Sequence, residues 1–353
     1  MTEREIVEAV VLCRPDGTLN PDAVGWSRTP QHDTSGLGRG MRGRGRTKRW
    51  EYWAVVTPTH VVGITTSALD YAALHQVYVL EKSTGVERGA LVVAPLSGSV
   101  ELPASLGAGP VRASTRRVAI EVDELVARGD APAATRLRAR TEHVELDVLV
   151  ARPEGHEVLG VVVPWSDRQF QYTVKDVGRP VTGTLRVDGT THEVRDPAWA
   201  VLDHGRGRWP YSATWQWGVG FGRVPAGGRS GHGGRAGRGS RSLGVQLGGT
   251  WTAAGPTTEN ALVVDGRLHK IHDELEWEVD RRDYLAPWRV RGARVDLTFR
   301  PFFNRVARTN LGVVASATDQ CFGTWSGSVE TDDGERLVVE RLEGWAEDVR
   351  QRW

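Results

Sequence analysis

Strand-length apolar runs, each closed by turn residues, constrain this chain more than any other feature. Examples lie at 51–56, 61–66, 76–81, 90–94, 117–122, 143–151 and 158–163. Runs of five to nine residues bounded by glycine, proline, aspartate or serine are too short for ordinary helices and read as antiparallel strands. Three Asp-Gly pairs sharpen the reading: Asp188-Gly189, Asp265-Gly266 and Asp333-Gly334 each stand between two such runs. That dipeptide suits the positive φ angles of tight hairpins. Alternation of strands with long amphipathic helices is missing, which argues against Rossmann and TIM-type folds. Helical candidates are few: 67–75, which reads equally as a loop, 122–128 and 342–352.

The expected fold is all-β, two antiparallel barrel-like units in tandem with few short helices. A chain of 353 residues exceeds what one core ordinarily fills. The expected division is an N-terminal extension over 1–45, a first β domain over 46–165 and a second over 166–353. The polar loop that follows the apolar run at 158–163 sets the boundary.

Composition narrows the function by exclusion. With 45 Lys and Arg against 44 Asp and Glu, bulk charge selects no polyanionic partner. Two Gly/Arg-rich stretches, 36–49 and 227–241, read as flexible loops, because glycine at that density is costly to order. They lack the interleaved aromatic residues that stack on bases, so nucleic-acid binding is not expected. Arg42, Arg44, Arg46, Lys48 and Arg49 could instead form a lid over an anionic head group. Cys13 and Cys321 are too few for a disulfide framework, which favours a reducing compartment, the cytoplasm by default. No apolar run is long enough for a membrane-spanning helix. Few methionines, many glycines and arginine in preference to lysine suit a GC-rich bacterial genome.

Residues 197–217 hold the strongest functional signal, Pro-Ala-Trp-Ala-Val-Leu-Asp-His-Gly-Arg-Gly-Arg-Trp-Pro-Tyr-Ser-Ala-Thr-Trp-Gln-Trp. Large aromatic surfaces surround one Asp-His pair, a composition suited to an apolar pocket with an acid/base handle. Trp199, Trp209, Tyr211, Trp215, Trp217 and Trp251 are the candidate ligand-binding residues. Asp203 and His204 are the candidate catalytic residues. On an extended strand they would point to opposite faces, so joint action requires a turn, for which Gly205 and Gly207 are available. Trp215 and Trp217, two apart, share one face if their segment is a strand.

Other chemistry is not supported. No metal is expected: His269 and His272 are three apart on a predicted strand, which turns them to opposite faces. Gly218-Val219-Gly220-Phe221-Gly222 lacks the Lys and Ser/Thr of a phosphate loop, and Gly-x-Ser-x-Gly is absent. No cofactor is expected.

Several motifs resemble known families. Asn20-Pro21, Gly25-Trp26-Ser27-Arg28, Lys48-Arg49-Trp50-Glu51-Tyr52-Trp53, Trp199, Asp203-His204-Gly205, Trp215-Gln216-Trp217 and Glu259-Asn260-Ala261 together resemble the bacterial family called domain of unknown function 2804. More distantly, Gly183–Gly189, Ala198-Trp199, Asp203-His204 and Trp215-x-Trp217 resemble the AttH-like and carotenoid 1,2-hydratase proteins. That resemblance implies two lipocalin-like barrels in tandem. In the hydratases it also implies a histidine, a tryptophan and a later Tyr-x-Asp pair that protonate an isoprenoid double bond. His204 matches the family histidine, whereas Arg206 stands in the place of the tryptophan and no comparable Tyr-x-Asp follows. The expected function is therefore binding of an apolar molecule, isoprenoid, acyl or polyketide-like, in a Trp-lined pocket near the domain junction. A cofactor-independent lyase or isomerase using Asp203 and His204 is the alternative. Interaction through the Arg/Gly loops is a third.

Overall fold

The computed structural model describes all residues except 1–2, 39–44, 97, 130, 227–238, 254, 311–314 and 353. Both large sheets are antiparallel and curl into half-barrels, in keeping with tandem lipocalin-like units. By internal contacts the chain divides into Arg4–Trp209 and Pro210–Trp353, with Glu3 joining the latter.

The first unit carries a 14-stranded sheet. Its central strand, Trp199–Arg208, pairs with Phe170–Val187 on one side and Thr47–Val56 on the other. His60–Leu69, Ala72–Glu81 and Val86–Pro95 continue it as a meander. On the opposite side lie Val144–Ala151, Ala134–Arg140 and Ala119–Leu125. Alternating apolar residues of these strands, including Trp53, Val62, Val77, Leu137, Leu146, Val181 and Leu202, close one hydrophobic core. Phe170–Val187 is long enough to pair with both Leu159–Pro164 and Val144–Ala151. The 164–169 segment is therefore a turn inside this unit, and the contact division falls at Trp209 instead. Residues 4–37 also belong here: Leu12, Cys13, Leu19, Ala23 and Leu37 pack against Phe170, Tyr172 and Val174.

The second unit is a nine-stranded sheet. Its longest strands, Val295–Asn310, Ala315–Glu330 and Arg336–Arg352, lie side by side, and Ser212–Pro225 pairs with the last of them. Ser212–Pro225 and Ser240–Gly249 form a hairpin, while the Gly/Arg loop between them lies outside the described residues from 227 to 238. Trp288, Phe299 and Trp325 fill the interior, with Trp277 packed against them. The Gly218-x-Gly220 spacing now has a physical reason. A Cβ on Gly218 would lie 2.8 Å from Trp277 and 2.9 Å from Trp325, so bare backbone makes room for two indoles.

All three Asp-Gly hairpins form; Asp188, Gly189, Asp265 and Gly266 have φ of 47°, 84°, 49° and 84°. The expected helices do not form. Residues 67–75 are the hairpin joining His60–Leu69 to Ala72–Glu81, 122–125 end the strand Ala119–Leu125, and 342–352 lie within Arg336–Arg352. Their apolar spacing suits strand pairing as well as a helix, and neighbouring strands supply the partners. Among the described residues, the one helical element is the short 3-10 turn Pro21–Ala23. The Gly/Arg stretch at 36–49 is also shorter as a loop than expected, since Thr47, Lys48 and Arg49 pair with Arg208, Gly207 and Arg206. No helix among the described residues is long and apolar enough to cross a membrane.

Gly218→Ala is expected to destabilise the second unit by about 1–3 kcal/mol, because the methyl must displace packed indoles. Gly98→Ala, where a Cβ meets nothing within 4 Å, serves as the neutral control. Urea unfolding followed by tryptophan fluorescence distinguishes the two.

Candidate active site in the first unit

Asp203 and His204 do not act as a pair. Trp199–Arg208 runs extended through both residues and through Gly205 and Gly207, so no turn folds one side chain back on the other. Their side chains leave opposite faces of the sheet. On one face Asp203 accepts from Trp50 Nε1 and Thr173 Oγ1, both at 3.0 Å, and pairs with Lys175 Nζ at 3.0 Å. These bonds commit it to joining three strands.

His204 faces the other way, where Glu51 and Val174 are its register partners. Its Nδ1–H donates to Glu51 Oε1 at 3.1 Å, and both residues are buried. Arg206 Nη2 lies 3.7 Å from the same oxygen, and Trp53 Nε1 donates to Glu51 Oε2 at 3.4 Å. Tyr172, opposite Arg206, packs edge-on to the imidazole with ring centroids 6.3 Å apart. His32 from the N-terminal segment lies over Tyr172 at 4.4 Å. His204 Nε2, Tyr172 Oη and Arg206 Nε are all buried without a hydrogen-bond partner.

The charges follow from this environment. Burial, aided by the neighbouring Arg206, pushes His204 down to about 4, against the pull of Glu51. Burial by itself would raise Glu51, yet the hydrogen bond from His204 and the Arg206 charge outweigh it and hold the carboxyl below its ordinary value. Burial raises the Tyr172 phenol and brings Arg206 down to about 10. At neutral pH the centre thus holds an ionised Glu51, a neutral His204 with its proton on Nδ1, a neutral phenol and a guanidinium. A lone pair remains on His204 Nε2.

The expected aromatic residues divide between the units. Trp199 and Trp209 belong to the first, where Trp209 stacks on Trp50 and Trp165 at 5.8 and 4.9 Å and donates to Gln171. Tyr211, Trp215, Trp217 and Trp251 belong to the second. Trp215 and Trp217 share a strand face, as their spacing implies, and Trp217 meets Trp345 edge-on at 5.3 Å. Their indole N–H groups donate to Glu347 and Gln246, and that of Trp251 to Glu259. Tyr211 is exposed. A groove of about 1020 Å³ opens elsewhere on the first unit, lined by Arg116, Arg117, Arg138 and Glu142 among others, and contains none of these residues. His269 Nδ1 is bonded to Asp332, whereas His272 lies near Glu3. With Asp333, His269 and Asp332 bring three ligand-type atoms within 4.8 Å of one another.

Sequence reasoning missed Glu51, although one signal was present. A carboxylate set inside Trp50-Glu51-Tyr52-Trp53, at the core of an apolar strand, must find a buried partner. A family model described as domain of unknown function DUF2804 matches residues 3–353. The chain belongs to the DUF2804 family. Among solved structures, this DUF2804 protein is similar to one assigned as AttH from Nitrosomonas europaea. The TM-score is 0.52 at 13% identity, over 88% of this chain and 94% of that one. Kievitone hydratase from Nectria haematococca aligns with a TM-score of 0.49 at 11% identity, over 88% of this chain and 89% of that one. No curated protein matches the sequence. At these identities the AttH likeness establishes the fold alone.

Because His204 takes its proton more readily unfolded than folded, stability present above pH 6.5 is lost as pH falls from 6.5 towards about 4. The urea midpoint of the native DUF2804 protein should therefore drop across that interval. In His204→Gln the drop above pH 4.5 should be smaller.

Proposed function

We propose that this protein is a cofactor-independent lyase or isomerase whose working group is His204, acting on an apolar molecule that carries a carbonyl group. The observation that carries this reading is the unpartnered, buried Nε2 of His204, opposite an Nδ1–H held by Glu51. That arrangement fixes the tautomer and leaves a base aimed away from its own support.

The chemistry follows from the residues in place. A C–H proton next to the carbonyl passes to His204 Nε2, and its bonding pair moves onto the carbonyl oxygen as an enolate. Glu51 stabilises the imidazolium as it forms. The Tyr172 phenol and the Arg206 guanidinium are donors suited to the developing oxyanion. Returning the proton to a different carbon completes an isomerisation, and expelling a β leaving group completes an elimination. Asp203 has no part in this scheme, because it faces away and is engaged by Trp50, Thr173 and Lys175.

A second reading, a binding protein for an apolar molecule, is favoured by one observation: His204, Tyr172 and Arg206 are fully enclosed. Leu12, Leu19 and Leu37 of the N-terminal segment belong to the apolar cluster that includes Tyr172. Ligand access through that side would require the segment to lift.

The test is proton exchange. The protein is incubated in D2O with a panel of enones and β-hydroxy ketones on terpenoid and polyketide-like skeletons, and deuterium uptake is followed by mass spectrometry. At least one compound should gain deuterium, with a loss of 100-fold or more in His204→Gln and Glu51→Gln and little change in Asp203→Asn. Undiminished exchange in His204→Gln would remove the proposed base. No exchange, together with an apolar molecule retained on native mass spectrometry, would establish the binding reading instead.

A further inference from the structure

We infer that Arg49, Arg206 and Arg208 form a site for an oxyanionic head group, carboxylate or phosphate, beneath the N-terminal segment of the first unit. The inference deepens the reading above by assigning the charge of the molecule that reaches His204.

Register places the three guanidinia together. Arg206 stands opposite both Arg49 and Tyr172, and Arg208 is two residues further along the same strand, so all three leave the sheet on the His204 face. Arg206 and Arg208 are 0% and 3% exposed. Each guanidinium spends terminal nitrogens on main-chain carbonyls. Arg206 donates to Trp50, Gly205 and Pro103, Arg208 to Gly17, and Arg49 to Leu37. In each of the three the Nε–H is buried and lacks a partner, as does the Tyr172 hydroxyl. The orphaned set is thus four donors on one face, whereas the orphaned acceptors are His204 Nε2 and His32 Nδ1, whose Nε2–H goes to Ala23.

The charge balance points the same way. Among the described residues, Glu51 is the carboxylate that ion-pairs with this set, through Arg206 at 3.7 Å, with Asp70 acting on Arg49 from farther off. The buried Arg206 and Arg208 and the half-buried Arg49 against one ion-paired carboxylate, with Asp16 and Asp33 acting from around Cys13, leave two enclosed guanidinia sharing one close counter-charge, which is costly unless another arrives. Planar guanidinium donors match carboxylate and phosphate oxygens. Leu12, Leu19, Leu37 and Phe170, which cluster with Tyr172, suit an apolar tail behind such a head. Lys48, expected beside Arg49 in an anion-binding lid, instead leaves the opposite face and donates to Tyr71 at 3.1 Å. Arg42 and Arg44 lie outside the described residues.

The experiment titrates the full-length protein with decanoate, decyl phosphate and decanol by isothermal calorimetry. At least one of the two anions should bind ten-fold or more tightly than decanol and weaken as salt is raised. The tighter anion identifies the head group. Arg208→Met and Arg49→Met should each abolish that preference, and Arg49→Lys should retain part of it. If Arg208→Met fails to fold, the partly exposed Arg49 carries the test. His204→Gln should keep the preference while losing deuterium exchange, which separates the two proposals. Equal binding of decanol and the anions, no saturable binding of any of the three, or a preference unchanged in folded Arg49→Met would each overturn the head-group site, whatever the exchange experiment gives.

Discussion

The register of Trp199–Arg208 between its two neighbours is the constraint on which the first unit depends. Side chains alternate along a strand, so a slip of one residue would exchange Asp203 and His204 between the two faces of the sheet. In the register observed, Glu51, Tyr172 and Arg49 stand beside His204 and Arg206, while Trp50, Thr173 and Lys175 stand beside Asp203. Two polar networks with different tasks therefore share one strand. The Asp203 network pins three strands to one another. The His204 network leaves donors and a lone pair unspent.

A buried ionic cluster of this kind is weak evidence for stability, because desolvation offsets much of the Coulomb attraction. Its retention inside a well-packed β unit asks for another reason. The contrast with the second unit is instructive. There Trp288, Phe299 and Trp325 fill the interior, and Gly218 and Gly220 give up their side chains to accommodate indoles. Asp348, one of several buried carboxylates of that unit, is engaged by Gln216, Arg281 and Tyr284. The second unit fills its interior with aromatic rings and holds Asp348 in several bonds; the first clusters orphaned donors beside an imidazole.

The tryptophans were a less direct guide than their clustering around Asp203-His204 suggested. Trp50, Trp209, Trp215, Trp217 and Trp251 each tie an indole N–H to a side-chain acceptor, which makes them framework as much as surface. The residues that hold or flank His204 come from four separated segments, around His32, Glu51, Tyr172 and Arg206. Glu51 stands in the Trp50–Trp53 run, but no local motif joins these segments to one another. Glu51 and His204 are 153 positions apart in the chain, and nothing at either position names the other.

What the sequence determined by itself was local: strand-length apolar periods, Asp-Gly hairpins whose φ angles the backbone requires, and the all-β architecture that follows. It also offered His204 as a candidate and put Trp215 and Trp217 on one strand face. Alternation could show that Asp203 and His204 part company on a strand, but not which face would be enclosed or what would stand there. Only the tertiary structure decided that, because the identity of a neighbouring strand and its register are long-range choices made by the packing of the whole sheet. The same cause turned the three expected helices into strands: their local spacing was ambiguous, and the sheet offered partners that an isolated segment lacks.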